Sequence, residues 1–452
     1  MIQFNGNILV LGCGAVSQCS LPLIFKEIKI NPDKVTVIDP IDNRHKVESL
    51  IKNGLNYEIG SVLRENYQEK FQKYLKPGDI CIDLASGLDT CEILTWCQNN
   101  NILYLNTALN AWRFIKDFRT YDLYNHVSNF SKKQKKKRST AIISHGANPG
   151  LVSSFAKQAL IDLAMQTINE NPKSNLTINL ELALQENNFS TLANLLNIKT
   201  IHISEEDSQI SSLEKDINEF INTWSIFEFV KESTSGAEIS FGSHENLIPK
   251  KSDLENANLF FKDRAMHINL KSWLPDKEFN GIIPAHDENF SISDYLTIKE
   301  NGKIIYRPTT IFVYNPNHHA KKSLNELKDR DYLVHENHKI MNEDILSGAD
   351  TLGCLLLSEN KNCWWTGTKL SIEETNKILP SQNATVMQVS AGVISALKYM
   401  IENPNKGICF PEQLDHTDIL KYAKNYLGEF ISKKVNWVPK KNSKLEIHDF
   451  FV

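Results

Sequence analysis

The chain has 452 residues, with 50 basic and 54 acidic side chains and a formal net charge of -4. That length supports two or three domains around a large core, and that charge argues against a general polyanion-binding role, nucleic acid included. No opening segment joins a basic flank to a long apolar run, so neither a signal peptide nor a membrane span is expected.

Ile8-Leu9-Val10-Leu11 is an apolar run that ends in Gly12-Cys13-Gly14 and opens onto Leu21-Pro22-Leu23-Ile24, which reads as a helix. A second apolar run, Val35-Thr36-Val37-Ile38, ends in Asp39-Pro40. Strand, glycine turn, helix, strand, acid is the dinucleotide-binding pattern: the glycines let the backbone approach a pyrophosphate, and the helix N-terminus supplies N–H donors. Gly12, Gly14, Ala15 and Val16 are therefore the expected cofactor-binding turn. Asp39 is the expected acceptor for the adenosine ribose 2′-OH, which favours NAD over its 2′-phosphorylated form. The third glycine of the pattern is replaced by Ser17, small enough for close helix–sheet packing. The competing reading is a βα turn with no ligand.

After Asp39 the sequence predicts a polar helix from Arg44 to Asn53, a strand at Asn56–Ile59, a helix from Tyr67 to Tyr74, a strand at 79–85, a helix from Thr90 to Asn99 and a strand at 102–107. Alternation at this spacing means parallel strands joined by right-handed crossovers, with ligands at the carboxyl ends of the strands. Ser86, Thr107 and the turn at Gly12 should face one crevice. Lys132 to Arg138 is a dense basic run, read as the solvated end of a helix with cations near its negative C-terminus. The eight cysteines (13, 19, 81, 91, 97, 354, 363 and 409) contain no C-x-x-C pair, which argues against a zinc or other metal site and for reduced, mostly buried thiols in a cytoplasmic chain.

Ser139–Ser144 reads as a further strand, followed by the turn His145-Gly146-Ala147-Asn148-Pro149-Gly150 and a new helix. Asn148 is placed to aim its amide at the crevice and the nicotinamide, with Pro149 beside it; alternatively it caps the helix. Residues from about 155 to 375 then read as an inserted α+β domain. Predicted there are helices at Phe155–Met165 and Ser190–Leu196 and strands at Phe260–Leu270 and Ile304–Tyr314. Ile201 to Gln209 is a short strand running into the acids Glu205, Glu206 and Asp207, and Phe220 to Ser225 surrounds Trp224, with Glu232 following. An indole face attracts an ammonium or iminium by ~2 kcal/mol or more when desolvated, and a carboxylate would orient it. The ordinary alternative is a core tryptophan and solvated carboxylates. Ala384 to Met400 is a further helix, broken by Asn403-Pro404. The fold class is thus α/β: a Rossmann-type parallel-sheet domain over 1–150, an inserted α+β substrate and dimerisation domain over 151–375, and a segment over 376–452 that returns to the nucleotide domain and ends in a tail.

The segments G-A-N-P-G-L-V-S (146–153), I-H-I-S-E-E-D-S-Q (201–209), F-I-N-T-W-S (220–225), G-S-H-E (242–245), Q-N-A-T (382–385) and I-E-N-P-N-K-G-I (401–408) resemble the bacterial homospermidine synthases, within the wider saccharopine dehydrogenase-like group. The resemblance implies a homodimeric enzyme that joins two putrescines into homospermidine and releases ammonia, with NAD as a held redox group. It implies that Trp224 is the aromatic face, Glu232 its carboxylate partner, Glu205 and Asn148 the residues that hold the inner amine, and His286 a proton relay. It also marks departures: Asn110 and Gly87 stand where the family carries acids for a diamine's far ammonium, Asp89 lying two residues beyond Gly87. A less cationic or differently sized second amine is the consequence. The alternatives are a saccharopine- or carboxyspermidine-type dehydrogenase, and an inactive paralogue that binds amine or NAD.

Overall fold

In the computed structural model every residue is described except 113–118, 135–137, 276 and 361. The chain divides into two units: Met1–Leu151 with Thr223–Phe227 and Thr375–Tyr426, and Val152–Asn222 with Glu228–Glu374 and Leu427–Val452.

The apolar runs of unit 1 are continuous rather than alternating because both faces of their sheet are covered. They form β1 (Ile8–Leu11), β2 (Val35–Asp39), β3 (Asn56–Ile59), β4 (Ile80–Asp83), β5 (Leu103–Asn106) and the short β6 (Ala141–Ile142). With the strand Ile408–Cys409 at one edge they make a seven-stranded sheet, in the order 408–409, β6, β5, β4, β1, β2, β3. Every pairing is parallel. The reversal of strand order beside β1 puts the glycine turn at the topological switch point, where such sheets take ligands.

The helix Ala384–Glu402 is long and apolar enough to cross a membrane, yet most of it is buried. It packs on the nucleotide helix Ala15–Glu27, where Ser20 Oγ and Ser390 Oγ are 2.9 Å apart and Lys398 Nζ donates to Glu27 at 2.7 Å. The helix Thr120–Lys133 ends with two lysines in its last turn; residues 135–137 of the basic run lie outside the described residues.

Unit 2 is built on a mixed seven-stranded sheet. Its strands are β7 (Ile198–Asp207), β8 (Asn269–Leu274), β9 (Lys277–Ile282), β10 (Thr309–Asn315), β11 (Ala349–Ser358), β12 (Cys363–Ser371) and β13 (Glu429–Val435). The order is β8, β9, β10, β7, β11, β12, β13. β10 and β7 are parallel and the remaining pairs antiparallel. Two stretches read as single strands are each two. Phe260–Leu270 is broken by a turn of 3-10 helix at Ala265–His267. Ile304–Tyr314 is broken at Arg307-Pro308, where proline has no N–H for a ladder. The chain's end joins this unit: β13 pairs with β12, and Phe450–Val452 runs along β8, with Lys271 N–H bonded to Phe450 O at 2.8 Å.

Candidate active site

The nucleotide crevice of unit 1 follows from three local choices. Gly12 has φ +87, and a Cβ there would lie 3.0 Å from Leu84 O, so only glycine turns the chain this tightly against the loop after β4. Gly14 is exposed with open space on its Cβ side, and it caps the helix Ala15–Glu27 without any side-chain hydrogen bond. The first N–H groups of that helix, on Ala15 and Val16, are donors of the kind a pyrophosphate takes. Ser17 donates from Oγ to Gly12 O at 2.7 Å, so the residue in the third glycine's place stitches the turn. Asp39, buried at the end of β2, accepts from Cys13 N–H at 2.6 Å and from Ile41 N–H at 2.7 Å. Both its oxygens are thereby aimed, and each keeps lone-pair capacity for a ribose hydroxyl. Glycine cradle, uncapped helix end and anchored acid fit a dinucleotide. The Cys13 thiol beside them is pushed up to about 12 by burial and by the Asp39 carboxylate, which makes it a poor nucleophile.

The other crevice residues sit on the loops after β4, β5 and β6. Ser86 and Thr107 are half-buried, as are Asn148 and Pro149. The 146–150 turn is closed by Gly146 N–H bonding to Pro149 O at 2.7 Å, and Gly150 has φ +130. His145 is fully buried and donates from Nδ1 to Gly392 O, 3.1 Å away; burial pushes its pKa down to about 4, so it stays neutral. Asp89 caps the helix Thr90–Asn99 through Glu92 N–H at 2.9 Å. Trp224 is half-buried in the short segment that belongs to this unit, and its neighbour Thr223 accepts from Asn383 Nδ2 at 2.7 Å. That bond ties the segment to the residue capping the helix Ala384–Glu402.

Unit 2 brings together charged residues far apart in sequence. His286 is buried just before the helix Glu288–Leu296. Its Nε2 lies 2.9 Å from Glu232 Oε2 and its Nδ1 3.1 Å from Glu288 Oε1. A ring with a carboxyl on each nitrogen donates from both, which is the imidazolium form. Burial works against that charge, but Glu232 and Glu288 outweigh it and hold the pKa well above the usual histidine range. The ring packs on Phe312 at 4.4 Å between centroids, and Phe312 stacks on Tyr314 at 5.6 Å.

The β7–β10 register sets Tyr314 beside Glu205 and Phe312 beside Ile203, so buried Glu205 shares the sheet face that carries His286. The helix Ile226–Thr234 lies over that face, with Phe229 edge-on to Tyr314 at 6.1 Å. Three residues on, along the same helix face, Glu232 reaches His286. Glu232 and Glu288 thus stand against one imidazolium, with Glu205 on the same sheet face, an acidic surface suited to a cationic nitrogen.

Glu288 is the residue that sequence reasoning passed over. It is fully buried, and its second oxygen has no hydrogen-bond partner among the described residues. The signal was local: a histidine followed two residues later by an acid in the first turn of a helix, where the dipole favours negative charge. Of the five residues expected to do chemistry, the structure joins Glu232 and His286 directly, sets Glu205 on their sheet face, and places Asn148 and Trp224 in unit 1.

Fold and site together define an enzyme of the saccharopine dehydrogenase class: residues 8–142 match the saccharopine dehydrogenase NADP binding domain and residues 146–435 the saccharopine dehydrogenase C-terminal domain. Saccharopine dehydrogenase (L-Glu forming) from Saccharomyces cerevisiae shares the fold, with a TM-score of 0.51 at 11% identity over 95% of this chain and all of that one. Much greater likeness is found elsewhere. Homospermidine synthase of Blastochloris viridis is 31% identical over 97% of this chain and 93% of its own, and that of Mesorhizobium japonicum 30% identical over 97% and 92%. The crystal structure of homospermidine synthase from Legionella pneumophila, in complex with NAD, matches with a TM-score of 0.90 at 32% identity, over 100% of this chain and 98% of that one. The chain belongs to the homospermidine synthase family.

Proposed function

We propose that this enzyme synthesises a polyamine by NAD-dependent amine oxidation, transimination and imine reduction, joining two putrescines into homospermidine, or a variant amine pair, with release of one ammonia. The observation that carries the reading is the Glu232–His286–Glu288 triad with Glu205 on the same sheet face. Gly12, Gly14, Ala15, Val16, Asp39, Ser86, Thr107 and Asn148–Pro149 would hold NAD, which would supply a reversible hydride acceptor. Asp39 supports NAD over its 2′-phosphorylated form, since a second anion beside its carboxylate would be repelled.

The protein residues act on the amine. A free alkyl ammonium has a pKa near ~10, as for lysine, and cannot release hydride from its α-carbon until nitrogen has lost a proton. Glu232 takes that proton, and His286 stabilises the charge change because its own proton is shared with the two carboxyls. The iminium that follows is a cation. Glu205 and Glu232 offer it carboxyls, so no covalent lysine is needed; the resemblance, not the geometry, gives Trp224 the role of a π face. The attacking second amine forms its C–N bond as ammonia leaves, and the new imine then recovers the hydride. Asn148 orients the inner amine from the turn after β6.

The far end of the second amine is where the substrate can vary. Asp89 is occupied as a helix cap and Asn110 is an amide. This supports a co-substrate whose distal group is less cationic than an ammonium. A net dehydrogenase acting on an amino acid finds less support, because the arginines of unit 2 are engaged. Arg307 is held by Asp294, Thr297 and Asn258, Arg264 by Thr234 O and the Tyr332 ring, and Arg330 by Leu333 O. Mass spectrometry of products after incubation with NAD and putrescine, alone and paired with other amines, tests the reading. Homospermidine or a mixed secondary amine with stoichiometric ammonia is expected. Net accumulation of NADH without a coupled amine overturns it.

A further inference from the structure

The loops after β4, β5 and β6 meet at one side chain, Asn106, the last residue of β5 and 2% exposed. Its Nδ2 donates to Ala108 O at 2.7 Å, within the loop after β5, and to Thr90 Oγ1 at 3.4 Å, beyond the loop after β4. Thr90 is joined in turn to Asn110, whose N–H donates to Thr90 Oγ1 at 3.0 Å and whose carbonyl accepts from Thr90 N–H at 3.0 Å. On its other side, Asn106 Oδ1 accepts from Ser144 N–H at 2.8 Å, and the Asn106 carbonyl accepts from His145 N–H at 2.8 Å. Ser144 has φ +55, a backbone that residues with a side chain rarely adopt, and its hydroxyl makes no hydrogen bond among the described residues. Two bonds to Asn106 therefore hold the chain where it departs from β6 into the turn bearing Asn148. An apolar residue at 106 would keep the carbonyl's bond to His145 N–H and lose every bond of the amide.

We propose that Asn106 is a positioning residue for the reacting centre: its amide fixes the turn carrying Asn148 relative to the loop carrying Thr107 and Asn110. This rests on the reading that Asn148 orients the inner amine. Asn106 is itself too buried to touch substrate. Its effect is geometric, and displacement of a reacting group by an ångström costs roughly 100-fold in rate.

The test combines hydrogen exchange with kinetics on the whole chain and three variants. In Asn106→Ala, exchange of amides 143–150 and 107–112 is expected to rise by about tenfold or more, with β1 unchanged. Turnover should fall roughly 30- to 100-fold, with a clearly smaller loss of NAD affinity, since Asp39 and the glycine turn stay in place while Thr107 and Asn148 shift. Asn106→Asp keeps the acceptor for Ser144 but sets an oxygen against Ala108 O, so it should protect 143–150 as the parent does and loosen only 107–112. Thr90→Val, which fits the same space, should raise exchange at 107–112 and lower turnover about tenfold; it carries the test if the alanine variant does not fold. Parent-like exchange at 143–150 in Asn106→Ala, turnover within about twofold of the parent, or a turnover loss matched by an equal loss of NAD affinity overturns the proposal. If the parent couples no amines, the functional reading fails by itself, and the exchange pattern still decides whether Asn106 holds the two loops.

Discussion

His286 shows how an ordinary residue is given a function by what surrounds it. A lone histidine titrates near ~6.5; this one, with Glu232 and Glu288 on its two nitrogens, keeps its proton well above that. Glu232→Gln removes one of the two carboxyls, so the ring should lose its proton at lower pH and the alkaline limb of the turnover profile should move towards acid. The same variant removes the proposed base, and a fall in turnover of about 100-fold is expected, read from initial rates across pH 6 to 10. An alkaline limb that does not move would show that His286 is not the group titrating in turnover. At the other end of the reaction, Asp39→Asn should weaken NAD by about tenfold and narrow the preference over the 2′-phosphorylated form, measured as two dissociation constants. Asp39 was legible in the sequence because the strand before it and the glycine turn lie within one local unit. The Glu232–His286 pair was not: 54 positions separate the partners, and only folding of the helix Ile226–Thr234 over β10 brings them to 2.9 Å.

At the scale of elements, the turn 145–150 is defined by what presses on it. A Cβ at Gly392, in the middle of the helix Ala384–Glu402, would overlap the carbonyl and Cα of Gly146. His145 is meanwhile bound to the Gly392 carbonyl. Glycine within a helix ordinarily costs about 0.5–1 kcal/mol relative to alanine, so propensity alone predicts that Gly392→Ala stabilises. Here the overlap is with backbone, which cannot rotate away, and overpacking of a filled core costs about 1–3 kcal/mol. The steric effect should win. Gly392→Ala is expected to destabilise by roughly 1–2 kcal/mol in urea unfolding and to lower turnover by displacing Asn148. A higher unfolding midpoint would show that the helix does not bear on the turn. The alternating β and α elements up to Asn106 could be read from apolar runs and helical periodicity, except that the polar helix expected at Arg44–Asn53 is a 3-10 turn at Arg44–Val47 followed by a short α-helix at Glu48–Lys52. The elements read less well are those set by neighbours. β6 is only Ala141–Ile142, because its chain bends away at Ser144, and Pro308 divides what looked like one strand. The tail is set by neighbours too: Phe450 lies against His202 at 4.6 Å, and Ile447 N–H bonds to Glu245.

Taken as a whole, the molecule carries buried titrating groups of two opposed kinds, and an acid and a histidine in each unit show the contest. In unit 1, burial raises Asp83 to about 7 and lowers His145 to about 4; in unit 2, burial raises Glu245 to about 7 and lowers His202 to about 3. The two kinds oppose each other. A carboxyl whose folded pKa is raised contributes stability that is complete below its unfolded pKa, 4.5 for Glu245 and 3.8 for Asp83, and is lost as pH rises towards 7. A histidine whose folded pKa is lowered contributes stability that is complete above its unfolded value of 6.5 and is lost as pH falls towards 4 or 3. Between about pH 5 and 6.5 the folded state holds two extra protons on the carboxyls and the unfolded state two on the imidazoles, so these slopes cancel. His286 adds nothing in that window, because it is protonated in both states, and its contribution is lost only as pH rises through its own elevated value. Glu245→Gln breaks the cancellation cleanly. Its amide mimics the protonated carboxyl, keeping an acceptor for Thr309 Oγ1 and Ile447 N–H. With one acid gone, the unfolded state gains one proton relative to the folded, and stability should rise with pH more steeply than the parent's by ~1.4 kcal/mol per unit. Between pH 5 and 6.5 the variant's melting midpoint should therefore climb relative to the parent's by the equivalent of about 2 kcal/mol. A variant profile parallel to the parent's would mean that Glu245 is already ionised in the folded chain, and that burial does not set its charge.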